Sequence, residues 1–560
     1  MDQRFHDAMA AGYALSEPAV VLGSPMLGGD APEDVASDVR IQVALSMLNR
    51  HGLIAGATGT GKTKTLQLMA GQLSKAGVPV FIADIKGDLT GLAAPAATDN
   101  PKLQARLQAL GWPLSPSGHP VEFVSLSGKL GAQVRATVHS FGPLLLGKVL
   151  DLNDTQTSIL SLVFKYCDDN QLPLLDLADL RTTLAYLGGD DGKAALANYG
   201  GISPASLGVI GRSIVTLEQE GADVFFGEPE FDVMDLMRVA PDGGGVISVL
   251  ELSDVMDKPA LFSTFMLWLL AQLYHALPEA GDLPKPKLAF FFDEAHLLFD
   301  QASEALLAQV EQTARLIRSK GVGVYFATQT PADIPSSVLA QLGNRVEHAL
   351  RAFTPQDADD LKKTVRTFPI TTFYDVEQEI QQLGIGEALV TVLSPQGVPT
   401  PLAATMLVPP DSLMAALDPA TFQQRASSGV LQAKYGTPID RQSAHEIITA
   451  RIQAAQAAAQ AAVVAGPAGM AGGGATPTGA SAAAIAREAA RQQREADREQ
   501  QRQQREAEQL RRQQEREAAT AERQRDRMME TGVRTAGRVI SSRAGQDVIR
   551  GVFGVLFGKH

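Results

Sequence analysis

Nine short apolar runs punctuate the chain, each rich in Val, Ile, Leu or Phe and bounded by Gly, Pro or Asp. Continuous runs of this length predict strands buried on both faces, since a strand with one wet face alternates apolar and polar residues. They are His51–Ala55, Val78–Asp84, Val121–Leu126, Val134–Val138, Val246–Leu252, Leu288–Asp293, Val322–Thr328, Val346–Leu350 and Ala388–Leu393. Helical patterns separate several of them. That order predicts βαβ crossovers and a mostly parallel central sheet covered on both faces, so the fold class is α/β. Between Phe141 and about Asp232 the strand signal disappears. There Ile159, Leu160, Leu162, Val163 and Phe164, following a Thr/Asp-rich start, predict an all-helical insertion.

Near residue 450 the apolar pattern stops. Ala454 to Ala484 is rich in Ala and Gly, and from Arg487 to Arg527 nearly every residue is Arg, Gln, Glu, Asp or Ala, with Leu510 the one large aliphatic. Helix propensity there is high but no a/d stripe exists, which predicts a charged helical or disordered C-terminal tail rather than a coiled coil. The last stretch differs: Val548, Ile549, Val552, Phe553, Val555, Leu556 and Phe557 stand among Arg534, Arg538, Arg543 and Arg550. Such a basic and apolar mixture suits docking on the core, on a protein partner or on a membrane surface. The chain thus divides into a first core part with a phosphate-binding loop (1–140), the helical insertion (141–232), the rest of the core (233–410), a helical and Ala/Gly-rich linker (411–484), the charged tail (485–530) and the basic-apolar end (531–560).

Composition narrows the class. At roughly 150 residues per domain, 560 residues leave room for two to four domains, and 45% apolar residues suffice for a large core. The net charge is −13, yet residues 485–560 hold 17 Lys+Arg against 12 Asp+Glu, so the preceding 484 carry −18, that is −13 less the tail's +5. A surface that grips nucleic acid by charge along the whole chain is excluded; a local basic groove is not. Cys167 alone cannot make an intramolecular disulfide, a zinc cluster or a redox pair, and the start of the chain lacks a secretory pattern. The helical segment Ala260 to Leu277 is interrupted by Ser263, Thr264, Gln272 and His275, short of the ~20 apolar residues of a membrane span. A cytoplasmic protein with no integral membrane segment is expected.

The chemistry is concentrated in two strings. Gly56-Ala57-Thr58-Gly59-Thr60-Gly61-Lys62-Thr63 is a complete GxxxxGK[ST] loop between a strand and a helix, with Lys64 next in line. Its glycines let backbone N–H groups wrap phosphate oxygens, Lys62 reaches the β and γ phosphates, and the Thr63 hydroxyl is a ligand for Mg²⁺. ATP and Mg²⁺ are therefore the expected ligands. The run Leu288 to Phe292 ends in Asp293 and Glu294: the first can hold Mg²⁺ through water, the second can polarise an attacking water. That pair describes hydrolysis rather than phosphate transfer to a metabolite. Gln329 follows the strand Val322–Thr328, at the edge where open α/β sheets bind ligands, and suits a γ-phosphate sensor or a strand exit closed by Pro331. Arg315 and Arg318 share a face of the helix expected over Ala302–Lys320, where they either reach a neighbouring subunit's γ-phosphate or complement the helix dipole.

The order GATGTGKT, then Ala83-Asp84-Ile85-Lys86-Gly87-Asp88, then FFFDEAHLL, then Ile317-Arg318-Ser319-Lys320-Gly321-Val322-Gly323 leading into ATQTP resembles the HerA/FtsK superfamily of ring-forming ATPases, and within it the bacterial HerA-like proteins of the YjgR type. The similarity covers about Val20 to Pro410 and recurs from Thr531 to Gly558. It implies a RecA-like P-loop core with a nine-stranded sheet, a homo-hexamer, and ATP hydrolysis coupled to DNA movement. It gives Lys62 and Thr63 the phosphate and metal roles, Asp293 and Glu294 the Walker B roles, Gln329 the sensor role and Arg318 that of an arginine finger. It departs from that pattern twice. About fifty residues precede His51, too few for the N-terminal barrel of HerA proper, and Arg318-Ser319 stands where two adjacent basic residues are usual. A different class of function fits the acidic core: an ATP-dependent assembly or partner-recruitment module without DNA translocation.

Overall fold

The computed structural model describes residues 2–464 except 30, 190–191, 193–198, 200–202 and 300–303. The expected tail, the basic-apolar end and the first residues of the helix from Ala302 lie outside the described residues. Twelve strands form one sheet. They are β1 Ala19–Pro25, β2 Ile41–Ala44, β3 Gly52–Ala55, β4 Val80–Asp84, β5 Val121–Ser125, β6 Ala132–Gln133, β7 Ile247–Glu251, β8 Leu288–Phe292, β9 Val322–Thr328, β10 Asn344–Glu347, β11 Glu387–Thr391 and β12 Ala403–Leu407. Their spatial order is β2-β1-β12-β11-β10-β3-β9-β8-β4-β7-β5-β6. From β10 to β6 every pairing is parallel, and from β10 to β2 every pairing is antiparallel.

The parallel half follows from the apolar runs. Phe81, Phe290, Phe292, Val324 and Phe326 point to one face and Val80, Ile82, Ala289, Phe291 and Tyr325 to the other, all nearly inaccessible to water. Neither face can be left wet, so helices must cover both. Leu66, Met69 and Leu73 of the helix Lys62–Lys75 cover the second face. The first is covered by the helix Pro259–Ala276, buried through Leu261, Phe265 and Trp268, and by Val310 of the helix Glu304–Leu316. Among the described residues no helix is long and apolar enough to cross a membrane. Stacked rings, Phe291 on Tyr325 at 4.9 Å and Phe292 on Phe326 at 5.4 Å, lock β8 to β9.

Residues 141–232 carry the helices Asp154–Asp169, Leu177–Gly188 and Pro204–Gln219, the first two opened by the capping boxes Asn153/Gln156 and Asp176/Asp179. Their buried stripes, including Leu160, Leu180 and Ile210, belong to the same cluster as Phe290 and Phe292, so the helices thicken one face of the core. Residues 411–460, expected as part of a linker, also pack on it. Leu431, Tyr435, Ala444 and Ile448 are buried in that cluster. Glu122 accepts from Val430 N at 3.0 Å and Leu431 N at 3.2 Å, Arg135 donates to Tyr435 O at 3.0 Å, and Asp179 accepts from His445 N at 2.8 Å.

Two strand expectations are corrected. The run at Val134–Val138 is not a strand: the two residues before it, Ala132–Gln133, form β6, the run itself makes a single bridge at Ala136, and Thr137 accepts from Ser140 N at 3.1 Å and starts a helix at Val138. Among the described residues the sheet has twelve strands, not nine. β1 ends in Gly-Ser-Pro, β2 is four residues long and β12 opens on two alanines, which hides all three from a search for long branched runs.

Glu347 on β10 is inaccessible, neither carboxylate oxygen has a hydrogen bond, and Arg345 comes no nearer than 3.8 Å. Burial pushes its pKa from 4.5 up to about 7. A raised folded pKa leaves stability intact below 4.5 and removes it as pH rises through 7. Glu347→Gln is therefore expected to leave the urea midpoint unchanged at pH 4.5 and to raise it at pH 8, by up to about 3 kcal/mol in unfolding free energy. A chain ending at Ser443 loses Ala444 and Ile448 from the core, a loss of about 2–5 kcal/mol, and is expected to melt several degrees below a chain ending at Val464 in scanning calorimetry.

Candidate nucleotide site

β3 ends at Ala55 and the chain turns through Gly56 to Gly61 before the helix Lys62–Lys75. Gly56 has φ 152°, and a Cβ there would lie 2.5 Å from His348 Cβ, so backbone conformation and close packing both demand glycine. Gly61, at φ 119°, is the N-cap and no side chain caps the helix. The helix therefore offers its amino end to the loop, an arrangement that attracts anions. The loop is braced on both sides: Gly56 N donates to Thr328 O of β9 at 3.2 Å and Ala57 N to Ala349 O at 2.9 Å. Below it, His348 Nε2 and Thr65 Oγ1 lie 2.9 Å apart, and burial pushes the His348 pKa down to about 4, so its ring is neutral at pH 7.

Lys62 is buried, and its ammonium donates to Gly56 O at 2.7 Å and Ala57 O at 3.3 Å. Burial holds its pKa below the usual lysine range against the pull of Glu294 and Asp293. Thr60 donates to Ala57 O at 2.7 Å. Thr58 and Gly59 are exposed, while Ala57, Thr63 and Lys64 are half-buried. Burial also lowers the Lys64 pKa, opposed by Asp88 and Asp84.

β8 delivers Asp293 and Glu294 to the same edge. Asp293 Oδ1 accepts from Glu294 N at 3.0 Å, while Oδ2 is buried without a hydrogen bond. Burial, then Glu294, Asp84 and Asp88, push its pKa up to about 7. Asp84 at the end of β4 accepts from Lys86 N at 3.1 Å, Gly87 N at 2.8 Å and Leu89 N at 2.8 Å. Burial still raises its pKa to about 6. Asp84, Asp88 and Asp293 each offer an oxygen within 4.8 Å of the others. Glu251, paired with Asp84 across β7 and β4, has one unpartnered oxygen and a pKa pushed up to about 9 by burial, Asp84, Asp254 and Asp88. An all-oxygen donor set with an orphaned Asp293 oxygen fits a hard divalent cation such as Mg²⁺.

Glu294 has φ 48° and is 4% exposed. A left-handed glutamate costs about 1–2 kcal/mol, and such strain concentrates at functional sites. Its Oε1 is ion-paired with Lys86, and His296 Nδ1 is 3.4 Å from Oε2. Burial pushes its pKa up, but Lys86 and Lys62 outweigh that and leave it below the usual glutamate range.

Gln329 is exposed directly after β9, in a turn where Thr328 Oγ1 donates to Asp333 Oδ2 at 2.5 Å and Thr330 N donates to the same oxygen at 3.2 Å. Asp333 also acts on the Lys62 charge, which places this turn near the loop. Arg318 lies elsewhere. It is exposed in the turn Ile317–Lys320 before β9, next to Arg50 and near His51 at the start of β3. The length of a seven-residue strand, roughly 23 Å, separates the two ends of β9, so Arg318 is not brought to Lys62 or Glu294 of its own chain. Arg315 is exposed at the end of the preceding helix. Sequence reasoning assigned no role to Lys86, Asp88, Glu251 or His348. An Asp-x-Lys-Gly string after a buried strand was the visible sign of the first two; a lone Glu or His at a strand end gives none.

Beside the helix start an open cavity of about 640 Å³ is lined by Lys64, Thr65, Arg106, Ile385, Leu407 and Pro409. Arg106 donates to Gly386 O at 2.8 Å and Ile385 O at 2.6 Å, and Gly386 N donates to Thr60 O at 2.9 Å. The loop after the helix Val376–Gln382 is thereby tied to the glycine loop.

The DNA double-strand break repair helicase HerA of Sulfolobus acidocaldarius is 21% identical over 377 residues, 64% of this chain and 65% of the relative. The chain thus spans less than two thirds of that relative's length. Among solved structures, the bacterial conjugative coupling protein TrwBdeltaN70 aligns at 15% identity over 74% of this chain and 93% of its own, with a TM-score of 0.45. VirB4 of Thermoanaerobacter pseudethanolicus aligns at 15% identity over 70% of this chain and 98% of its own, with a TM-score of 0.41. The family model of the helicase HerA-like C-terminal region matches residues 31–482, and by that match the chain belongs to the HerA-like helicase C-terminal family.

Proposed function

We propose that the protein is an ATP-hydrolysing ring motor that acts on DNA as a translocase or helicase-like protein. One observation carries the reading: the glycine loop with Lys62 and the pair Asp293–Glu294 leave strands of one parallel array at one edge, close enough for Lys62 to feel both carboxylates. The relative's name, a DNA double-strand break repair helicase, supports DNA as the substrate, and in this reading the ring is a homo-hexamer in the cytoplasm.

In this reading the N–H groups of Thr58, Gly59 and Gly61 and those of the helix amino end bind the phosphates, and Lys62 neutralises the β and γ phosphates. Thr63 and Asp293 would hold Mg²⁺, which when bound neutralises charge on the transferring phosphoryl group. Glu294 takes a proton from the attacking water. Gln329 reads the γ-phosphate from the end of β9. Arg318, at the opposite edge, completes a neighbour's site, which is why the motor must be a ring. In this reading the cavity beside Lys64 and Arg106 takes the base and sugar of the nucleotide.

Lys62→Ala is expected to abolish binding of a fluorescent ATP analogue. Glu294→Gln is expected to keep binding and to lower phosphate release at least about a hundredfold. Duplex DNA should raise the wild-type rate; a rate indifferent to DNA would favour the assembly module. Mixing Arg318→Ala with Glu294→Gln protein should restore activity that neither has alone, because some interfaces then hold both groups. No recovery, with Arg318→Ala fully active alone, would remove the arginine from the account.

A further inference from the structure

The string Asp84-Ile85-Lys86-Gly87-Asp88 follows β4, and the proposed reaction gives its lysine no task. Asp84 fixes the turn by accepting from the backbone of Lys86, Gly87 and Leu89, and Gly87 takes the φ of 71° that the turn requires. From this clamped turn the Lys86 side chain, half exposed, reaches across to the end of β8 and pairs with Oε1 of Glu294. Oε2 is buried, accepts no hydrogen bond and lies 3.4 Å from His296 Nδ1. Among the described residues Lys86 is thus the one hydrogen-bond donor to a carboxylate that is 4% exposed.

A buried carboxylate deprived of its donor must take up a proton, swing outward or draw in water. Lys62 is no substitute, because its ammonium is engaged by Gly56 O and Ala57 O here and, in the proposed reaction, by the phosphates. We infer that Lys86 is a positioning residue for Glu294: the turn clamped by Asp84 holds its ammonium on Oε1 and thereby fixes the carboxylate that takes the proton from water. The role of Lys86 rests on the reading of Glu294 as the base.

The test compares full-length wild type with Lys86→Met, Lys86→Arg, Glu294→Gln and the double variant Lys86→Met with Glu294→Gln. Phosphate release is measured across ATP concentrations, and affinity with a fluorescent ATP analogue. Lys86→Met is expected to lower kcat about tenfold or more while KM and analogue affinity stay within about threefold. Lys86→Arg should recover most of the rate. In the Glu294→Gln background Lys86→Met should cost nothing further, since the group it positions is gone. Melting curves report folding; if Lys86→Met unfolds, Lys86→Gln carries the same expectations. Wild-type kcat in the folded Lys86 variant, losses that multiply in the double variant, or lost affinity at unchanged kcat would each overturn the inference. Wild-type hydrolysis by Glu294→Gln would instead overturn the base assignment beneath it, so the two failures are distinguishable.

Discussion

Burying like charges at the end of a sheet is costly, and the candidate site depends on how that cost is met. Asp84, Asp293 and Glu251 end or follow three neighbouring parallel strands, each buried and each with a raised pKa. Parallel pairing forces this, because strands that run the same way bring the residues after them to one edge. Lys62, Lys64 and Lys86 are counterweights on this edge, and two of them are placed by backbone: Lys62 by the glycine turn, Lys86 by the turn on Asp84. The orphaned oxygens of Asp293 and Asp88 mark where internal compensation stops and an external cation is suited to complete it.

The antiparallel half has a part in this. β10 continues into His348, which fills the space a Cβ on Gly56 would need and meets the Thr65 hydroxyl. The turn before β11 brings Gly386 to Thr60 and is held by Arg106. The glycine loop is therefore gripped from the parallel side by Thr328 and from the antiparallel side by Ala349 and Gly386. A loop held on both sides presents its N–H groups with little ordering left to do, which is the condition for tight phosphate binding.

The parts legible in the sequence were those where burial leaves a one-dimensional trace. Strands with two dry faces show as apolar runs, and β9, from Val322 to Thr328, coincides with its run. The glycine loop and the Asp293–Glu294 pair are local strings that need no partner to be seen. What remained hidden depends on neighbours distant in sequence. Lys86 meets Glu294 across 208 positions, and His348 meets Thr65 across 283. Residues 411–460 looked like linker because their anchors, Leu431, Tyr435 and Ile448, are sparse, although each fills a gap in a core built by other segments. Arg318 was visible as a residue but not as a location: only the strand direction shows that it stands at the edge opposite Lys62.

The central claim is that one edge of the sheet is a single ATP site with Lys62 at its centre. The most direct test is a structure of the full-length protein with Mg²⁺ and a non-hydrolysable ATP analogue. The account predicts phosphates inside the turn from Gly56 to Gly61, the Lys62 ammonium transferred from the Gly56 carbonyl to phosphate oxygens, and the metal on the Asp293 side. An analogue bound elsewhere, or Lys62 still on the Gly56 carbonyl at saturation, would contradict it.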